Sequence, residues 1–217
     1  MICFFGGTFD PVHLGHLRAA QAVRAHLELA SLRMILSARP GHRSAPVASL
    51  SHRWRMLCIA CQEEVGLVPD DTETKRSAPS YTVDTLLSIR AGHPGEAIAW
   101  TLGSDAFIGL PSWHRWRDVL SLTNLVILAR PGVDDLTGSD PDLVNLLNTH
   151  RVDDLRGCTV GGVLVLNDIA LLDTSATQVR ERLANHRPVE TLVPPEVAAY
   201  INEHDLYGDT GEAKKAV

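Results

Sequence analysis

The sequence predicts an α/β fold in which helices cover both faces of a doubly wound parallel sheet, with a small helical portion at the C-terminal end. Two observations carry that prediction. Short apolar runs recur at residues 2–5, 33–37, 97–102, 125–129 and 160–166, as expected of strands buried on both faces. Between most of them, residues 14–30, 51–65, 80–90, 116–122, 175–184 and 195–204 repeat apolar side chains at spacings of three and four, the pattern of helices with one buried stripe. Such alternation argues for a parallel sheet rather than hairpins.

Taken in order, the first apolar run ends at Gly6 and Gly7, as if the backbone must turn tightly or approach a ligand there. A helical pattern follows from Leu14. The second run leads into a Pro/Gly/Ser stretch at 38–50, read as a loop, and then into the helical pattern that carries Cys58 and Cys61. The third run is followed by a second loop stretch at 109–113 and the fourth by an acidic Pro/Gly stretch at 131–142. The helical patterns after residue 174 close the chain. The reading is one domain over residues 1–208 and a frayed tail over 209–217, whose "DTGEAKKAV" has no apolar pattern.

Length and composition limit the possible functions. A chain of 217 residues with 45% hydrophobic side chains can fill a substantial core. It has no run of about 18 uncharged apolar residues, and Met1 leads directly into a strand-like segment, so a soluble cytoplasmic protein without a membrane partner is expected. The formal charge of −6 argues against a nucleic-acid partner, which a basic stripe would announce. Only Lys75, Lys214 and Lys215 are lysines, so anion recognition rests on arginine, whose planar fork suits phosphate and carboxylate.

Cys58 and Cys61 form a C-x-x-C inside a helical pattern, with neither a second metal-binding pair nor a strand-to-helix junction, and are read as small buried side chains. The acidic pairs Glu63/Glu64, Asp70/Asp71, Asp134/Asp135 and Asp153/Asp154 are read as solvated faces and loops.

Because ligands of open parallel sheets bind beyond the carboxyl ends of strands, residues that follow strands are the ones to inspect for chemistry. His13 and His16, in "HLGH", stand at i and i+3 on a first helical turn, where free N–H groups and the helix dipole favour an anion. Gly15 between them offers a surface against which a flat ring could lie. The ordinary alternative is a helix begun by Asp10 and Pro11 with two histidines on a polar edge. Metal binding is less suited, because no carboxylate or third ligand lies nearby in sequence. Neither G-x-x-x-x-G-K-[ST] nor G-x-G-x-x-G occurs, so phosphates must be held another way.

Near the other end, "SATQVR" places Ser175 and Gln178 at capping-box spacing. Thr177 and Arg180 present a hydroxyl and a guanidinium one turn apart beside another positive helix end.

"GGTFDPVHLGH" and "SATQVR" together resemble the paired signatures of the nucleotidylyltransferase superfamily, H-x-G-H and S-x-T-x-x-R. Within it the chain resembles, over nearly its whole length, the bacterial nicotinate-nucleotide adenylyltransferases. "APSYTVDTL", "LGSDAF", "PSWHRW", "LARPG" and the closing "LVPPEVAAYINEHDLYG" carry that closer likeness. The resemblance implies a Rossmann-like domain that joins nicotinate mononucleotide to ATP, giving deamido-NAD and pyrophosphate, with magnesium carried by ATP and no metal site of the protein's own. It implies catalytic roles for His13, His16 and Arg180. It implies ATP contacts for Gly6, Gly7, Phe9, Gly15, Gly103, Asp105, Ser175 and Thr177. On the acceptor it implies contacts for His42, Arg43, Thr82, Val83, Trp113, His114 and Arg130, with Trp113 stacked on the pyridine ring and Trp116 left to the core.

Departures from the family's pattern fall largely around the acceptor: Thr174 replaces a common apolar residue, the loop 38–50 is arginine-based where many relatives use a lysine, and His114 replaces a frequent aromatic. Three other readings stay open: the same chemistry on nicotinamide mononucleotide, a sister enzyme making a coenzyme A or lipid precursor, and a nucleotide sensor without turnover. A homo-oligomer also stays open.

Overall fold

The computed structural model describes residues 1–208 apart from 42–44, 130–135, 139, 168 and 170–171. Seven strands form one parallel sheet: β1 (Ile2–Gly7), β2 (Leu32–Leu36), β3 (Leu67–Asp70), β4 (Ile98–Gly103), β5 (Asn124–Leu128), β6 (Arg151–Val152) and β7 (Val163–Leu166), in the order β3-β2-β1-β4-β5-β7-β6. The connections carry α1 (Leu14–His26), α2 (Leu50–Gln62), α3 (Thr82–Gly92), α4 (Ser104–Ile108), α5 (Trp116–Leu122) and α6 (Pro141–His150). The chain closes with α7 (Ala176–Ala184) and α8 (Pro195–Glu203).

Strand period two sends alternate side chains into two separate cores. Cys3 and Phe5 of β1, Met34 and Leu36 of β2, and Val126 and Leu128 of β5 pack with Leu17, Met56, Val179 and Val197 on one face. Their neighbours Phe4, Ile35, Leu125 and Ile127 pack with Leu86, Phe107, Val119 and Leu143 on the other. Both faces are therefore apolar, which explains why these strands read as unbroken apolar runs. Among the described residues, no helix is long and apolar enough to cross a membrane.

Several elements depart from the sequence reading. The strands β3 and β6 were not expected; both lie on sheet edges, and β3 tolerates Pro69 because an edge strand can spare an N–H. The predicted strand 160–166 begins only at Val163, after Gly161 at φ +86. Residues 141–142, read as loop, open α6 instead. The Asp140 carboxylate accepts from the amides of Asp142 (2.9 Å) and Leu143 (3.3 Å), and Pro141 occupies the first turn, where its missing N–H costs nothing. Asp70, read as solvated, is buried, paired with Arg33 at 3.1 Å and accepting from Thr72. The proposed tail, 209–217, lies outside the described residues.

The chain runs outward from β1 through β2 to β3, and returns through α3 to place β4 on the other side of β1. This reversal is the switch point at which open α/β sheets leave a crevice beyond the carboxyl ends of the strands.

Candidate active site

The loop after β1 is shaped by aromatic packing. A Cβ on Gly6 would come within 2.6 Å of the Trp100 ring, and one on Gly7 within 2.6 Å of the Phe9 ring. Both glycines are therefore explained by close approach of protein side chains. Phe9 adopts a left-handed backbone (φ +46) and is buried. Its ring meets the His16 ring edge-on at 5.0 Å, so it supports the histidine from beneath. Its side chain is not itself a wall of the site.

Helix α1 begins at Leu14, later than a start at Asp10 and Pro11 would give, with His13 as its extended cap residue. The His13 ring is buried and stacks on the His16 ring at 3.6 Å. The His13 amide donates to Nδ1 of His16 at 3.3 Å, which leaves the neutral His16 ring its proton on Nε2. Gly15 packs closely: a Cβ there would lie 3.0 Å from the His13 ring and 3.2 Å from the Thr174 carbonyl oxygen. Its missing side chain thus lets the start of α1 approach the segment before α7.

That segment is the second motif. Ser175 caps α7, its Oγ accepting from the Gln178 amide at 3.1 Å. The reciprocal half of the expected capping box is not made, since Oε1 of Gln178 is buried without a hydrogen-bond partner. Arg180 joins the two motifs. One guanidinium nitrogen donates to the Asp10 carbonyl oxygen at 2.7 Å, across 170 positions of sequence, and the other donates to Thr177 Oγ1 at 3.1 Å. Two helix amino termini, each the positive end of a helix dipole, are thereby brought together.

Gly103 ends β4 beside the end of β1 and precedes α4, which carries Asp105. A Cβ on Gly103 would meet nothing within 4 Å, so the crevice is open at this point. On the acceptor side, Thr82 and Val83 open α3, and Val83 is fully buried in the second core, leaving only its backbone to face a ligand. Trp113 follows a 3₁₀ turn (Leu110–Ser112), half-buried, and the neighbouring His114 ring lies 4.5 Å from the Tyr81 ring at the start of α3. Trp116 packs against the second core, with the Arg117 guanidinium 4.6 Å above it. His42, Arg43 and Arg130 lie outside the described residues.

A buried polar scaffold under these loops was not read from the sequence. Arg53, on α2, is 2% exposed and donates to three carbonyl oxygens, those of Thr8 (2.9 Å), Ser37 (2.7 Å) and Ala38 (2.8 Å). Burial lowers its pKa from the ordinary arginine value, and the Asp10 carboxylate opposes that shift. Asp10, buried, accepts from the amides of Val47 (2.7 Å) and Ala48 (3.1 Å) and from the Tyr207 hydroxyl (2.7 Å). Glu73 and Thr85 form a further buried pair at 2.7 Å, and Glu73 also accepts from the Ala38 amide. The "DP" of "FDPVH" was the available signal for Asp10. Arg53 gave none beyond being a cation on the inward stripe of a helix.

Cys61 is buried in α2, and burial pushes its thiol pKa up to about 12, so it is an inert packing group at neutral pH. Among the described residues, no three His, Cys, Asp or Glu side chains converge as a metal cage.

Comparison with known proteins agrees with this architecture. The sequence model of a family described as cytidylyltransferase-like matches residues 4–182. A protein of Pseudomonas syringae pv. tomato, named "Probable nicotinate-nucleotide adenylyltransferase", is 45% identical over 95% of this chain and 93% of its own length. A relative from Xylella fastidiosa with the same name is 42% identical over 94% and 95% of the two chains. Among solved structures, Plasmodium falciparum nicotinic acid mononucleotide adenylyltransferase complexed with NaAD shares the fold with a TM-score of 0.74, at 19% identity, over 95% of this chain and 96% of that one.

Proposed function

The chain belongs to the nicotinate-nucleotide adenylyltransferase family of the cytidylyltransferase-like proteins, and we propose that the two helix amino termini joined by Arg180 are where its reaction occurs. It is a nucleotidyltransferase of NAD biosynthesis that transfers the adenylyl group of ATP to nicotinate mononucleotide, forming nicotinate adenine dinucleotide and pyrophosphate.

In the proposed mechanism, a phosphate oxygen of the mononucleotide attacks the α-phosphorus of ATP. The new P–O bond forms as the bond from that phosphorus to the β-bridging oxygen breaks, and pyrophosphate leaves with the electron pair. The attacking phosphate is already ionised, so no general base is required. The protein's task is to align two anions and to meet charge that grows on the leaving pyrophosphate.

His16 donates its Nε2 proton toward the phosphate oxygens, held in that tautomer by the His13 amide. His13 and the positive dipole end of α1 receive the triphosphate on one side, with Gly6, Gly7 and Phe9 shaping the loop beneath. Arg180, Thr177 and the Ser175-capped turn of α7 receive it on the other. Gly103, Asp105 and Gly15 flank the adenosine. Trp113 stacks on the pyridine ring, and Thr82, the Val83 backbone and His114 meet its carboxylate. His42, Arg43 and Arg130 are assigned to the acceptor by family resemblance alone. ATP would enter as its magnesium complex, the ion supplying neutralisation of phosphate charge.

The observation that carries this reading is the Arg180 bridge, which makes one anion site from two motifs 170 positions apart. A single-turnover experiment with ATP labelled at the α-phosphorus tests it. All label should pass to the dinucleotide, with none on acid-quenched protein incubated without acceptor. Label retained on the protein would contradict direct transfer.

A further inference from the structure

The C-terminal end of the chain lies outside the segment matched by the family model, which stops at residue 182, yet it is tied to the phosphate-binding turn at two points. The Leu14 amide, the first of α1, donates to the Leu192 carbonyl oxygen at 2.8 Å. The Tyr207 hydroxyl donates to the Asp10 carboxylate at 2.7 Å. Val193, Val197 and Ile201 anchor the intervening segment in the first core.

Packing alone does not require that hydroxyl. Tyr207 is 7% exposed, and a phenylalanine would fill the same space. The hydroxyl instead makes a buried, charge-assisted hydrogen bond, of the kind that fixes geometry. The same Asp10 accepts from the Val47 and Ala48 amides through its carboxylate and from Arg180 through its carbonyl oxygen. Burial, and then the Asp10 carboxylate, raise the phenol's pKa above its ordinary value, so Tyr207 stays a donor throughout the neutral range.

We propose that Tyr207 is a positioning residue for adenylyl transfer, acting through Asp10 to hold the backbone carbonyl that orients Arg180. The inference rests on the assignment of Arg180 to the triphosphate. It makes the C-terminal segment part of the site's geometry through Asp10, which stands three residues ahead of His13 and is reached by Tyr207 across 197 positions of sequence. Once the hydroxyl is lost, Asp10 keeps two amide donors and the fold persists. The turn gains freedom, and the guanidinium loses its fixed aim. A small misplacement of this kind lowers the rate of the chemical step by roughly ten- to a hundredfold.

A double-mutant cycle tests this with Tyr207→Phe, Arg180→Lys and the pair, measuring kcat, KM for each substrate and thermal unfolding. Tyr207→Phe should lower kcat at least about tenfold while KM for nicotinate mononucleotide stays unchanged, and it should add nothing further in the Arg180→Lys background. Leu32→Val, in the same core but at the far end of β2, controls for stability: it should lower the melting temperature without changing kcat. A Tyr207→Phe enzyme of normal kcat overturns the proposal, as do losses that multiply independently in the pair, or a Leu32→Val enzyme that loses kcat in step with its melting temperature. If Arg180→Lys itself keeps full activity, the assignment of Arg180 fails instead, and the proposal fails with it.

Discussion

Replacing His16 by alanine should lower kcat for adenylyl transfer by about 10²–10³-fold, the range typical of removing one donor from a preorganised anion site. The fold should survive. His16 is half-buried on the first turn of α1, whose hold on the sheet comes from Leu17, Ala20 and Val23, all within the first core. The variant loses a ring braced by Phe9 and stacked on His13, and with it the Nε2 donor. KM for the acceptor should change little, because the proposed mechanism assigns His16 to the ATP phosphates. Steady-state pyrophosphate release, with circular dichroism on the same preparation, checks this; near-normal turnover would remove His16 from the mechanism.

Arg53→Met should cause the largest loss of stability, about 3–5 kcal/mol, because a buried cation is removed while its partners remain. Methionine can occupy part of the apolar volume. It cannot donate to the carbonyl oxygens of Thr8, Ser37 and Ala38, which would be left unsatisfied in the interior at the ends of β1 and β2. The buried Asp10 carboxylate would also lose a neighbouring positive charge. For a chain of this size the melting temperature should fall by about 10 °C. A drop of only one or two degrees would show that the three carbonyls find other partners.

These two residues also show what sequence can and cannot convey. The place of His16 at a helix start was legible because its surroundings are written locally: a strand, two glycines, an H-x-G-H and a helical stripe are contiguous, and each narrows the reading of the next. The central strands were legible for a similar reason, since β1, β4 and β5 pack against a core on each face and, apart from Thr101 and Asn124, their residues are apolar or glycine. Edge strands gave no such run. β6 has two residues, and β3 contains a proline. The start of α6 was hidden because an aspartate cap followed by proline has the composition of a loop, although it is also a helix start.

The scaffold was illegible because its partners are remote. Asp10 meets residues 37 and 197 positions away, and Arg53 meets a carbonyl 45 positions away. No period or spacing records such contacts. The glycines were read as a tight turn or a close approach to a ligand, whereas the groups that approach them in the structure are the rings of Trp100 and Phe9. A missing side chain announces a neighbour without naming it.

Pyrophosphate release from MgATP, compared without acceptor, with nicotinate mononucleotide and with nicotinamide mononucleotide, tests the central claim most directly. Release should depend on acceptor and run strongly with the acid alone. Release with the amide at an equal rate, or none with the acid, would contradict it.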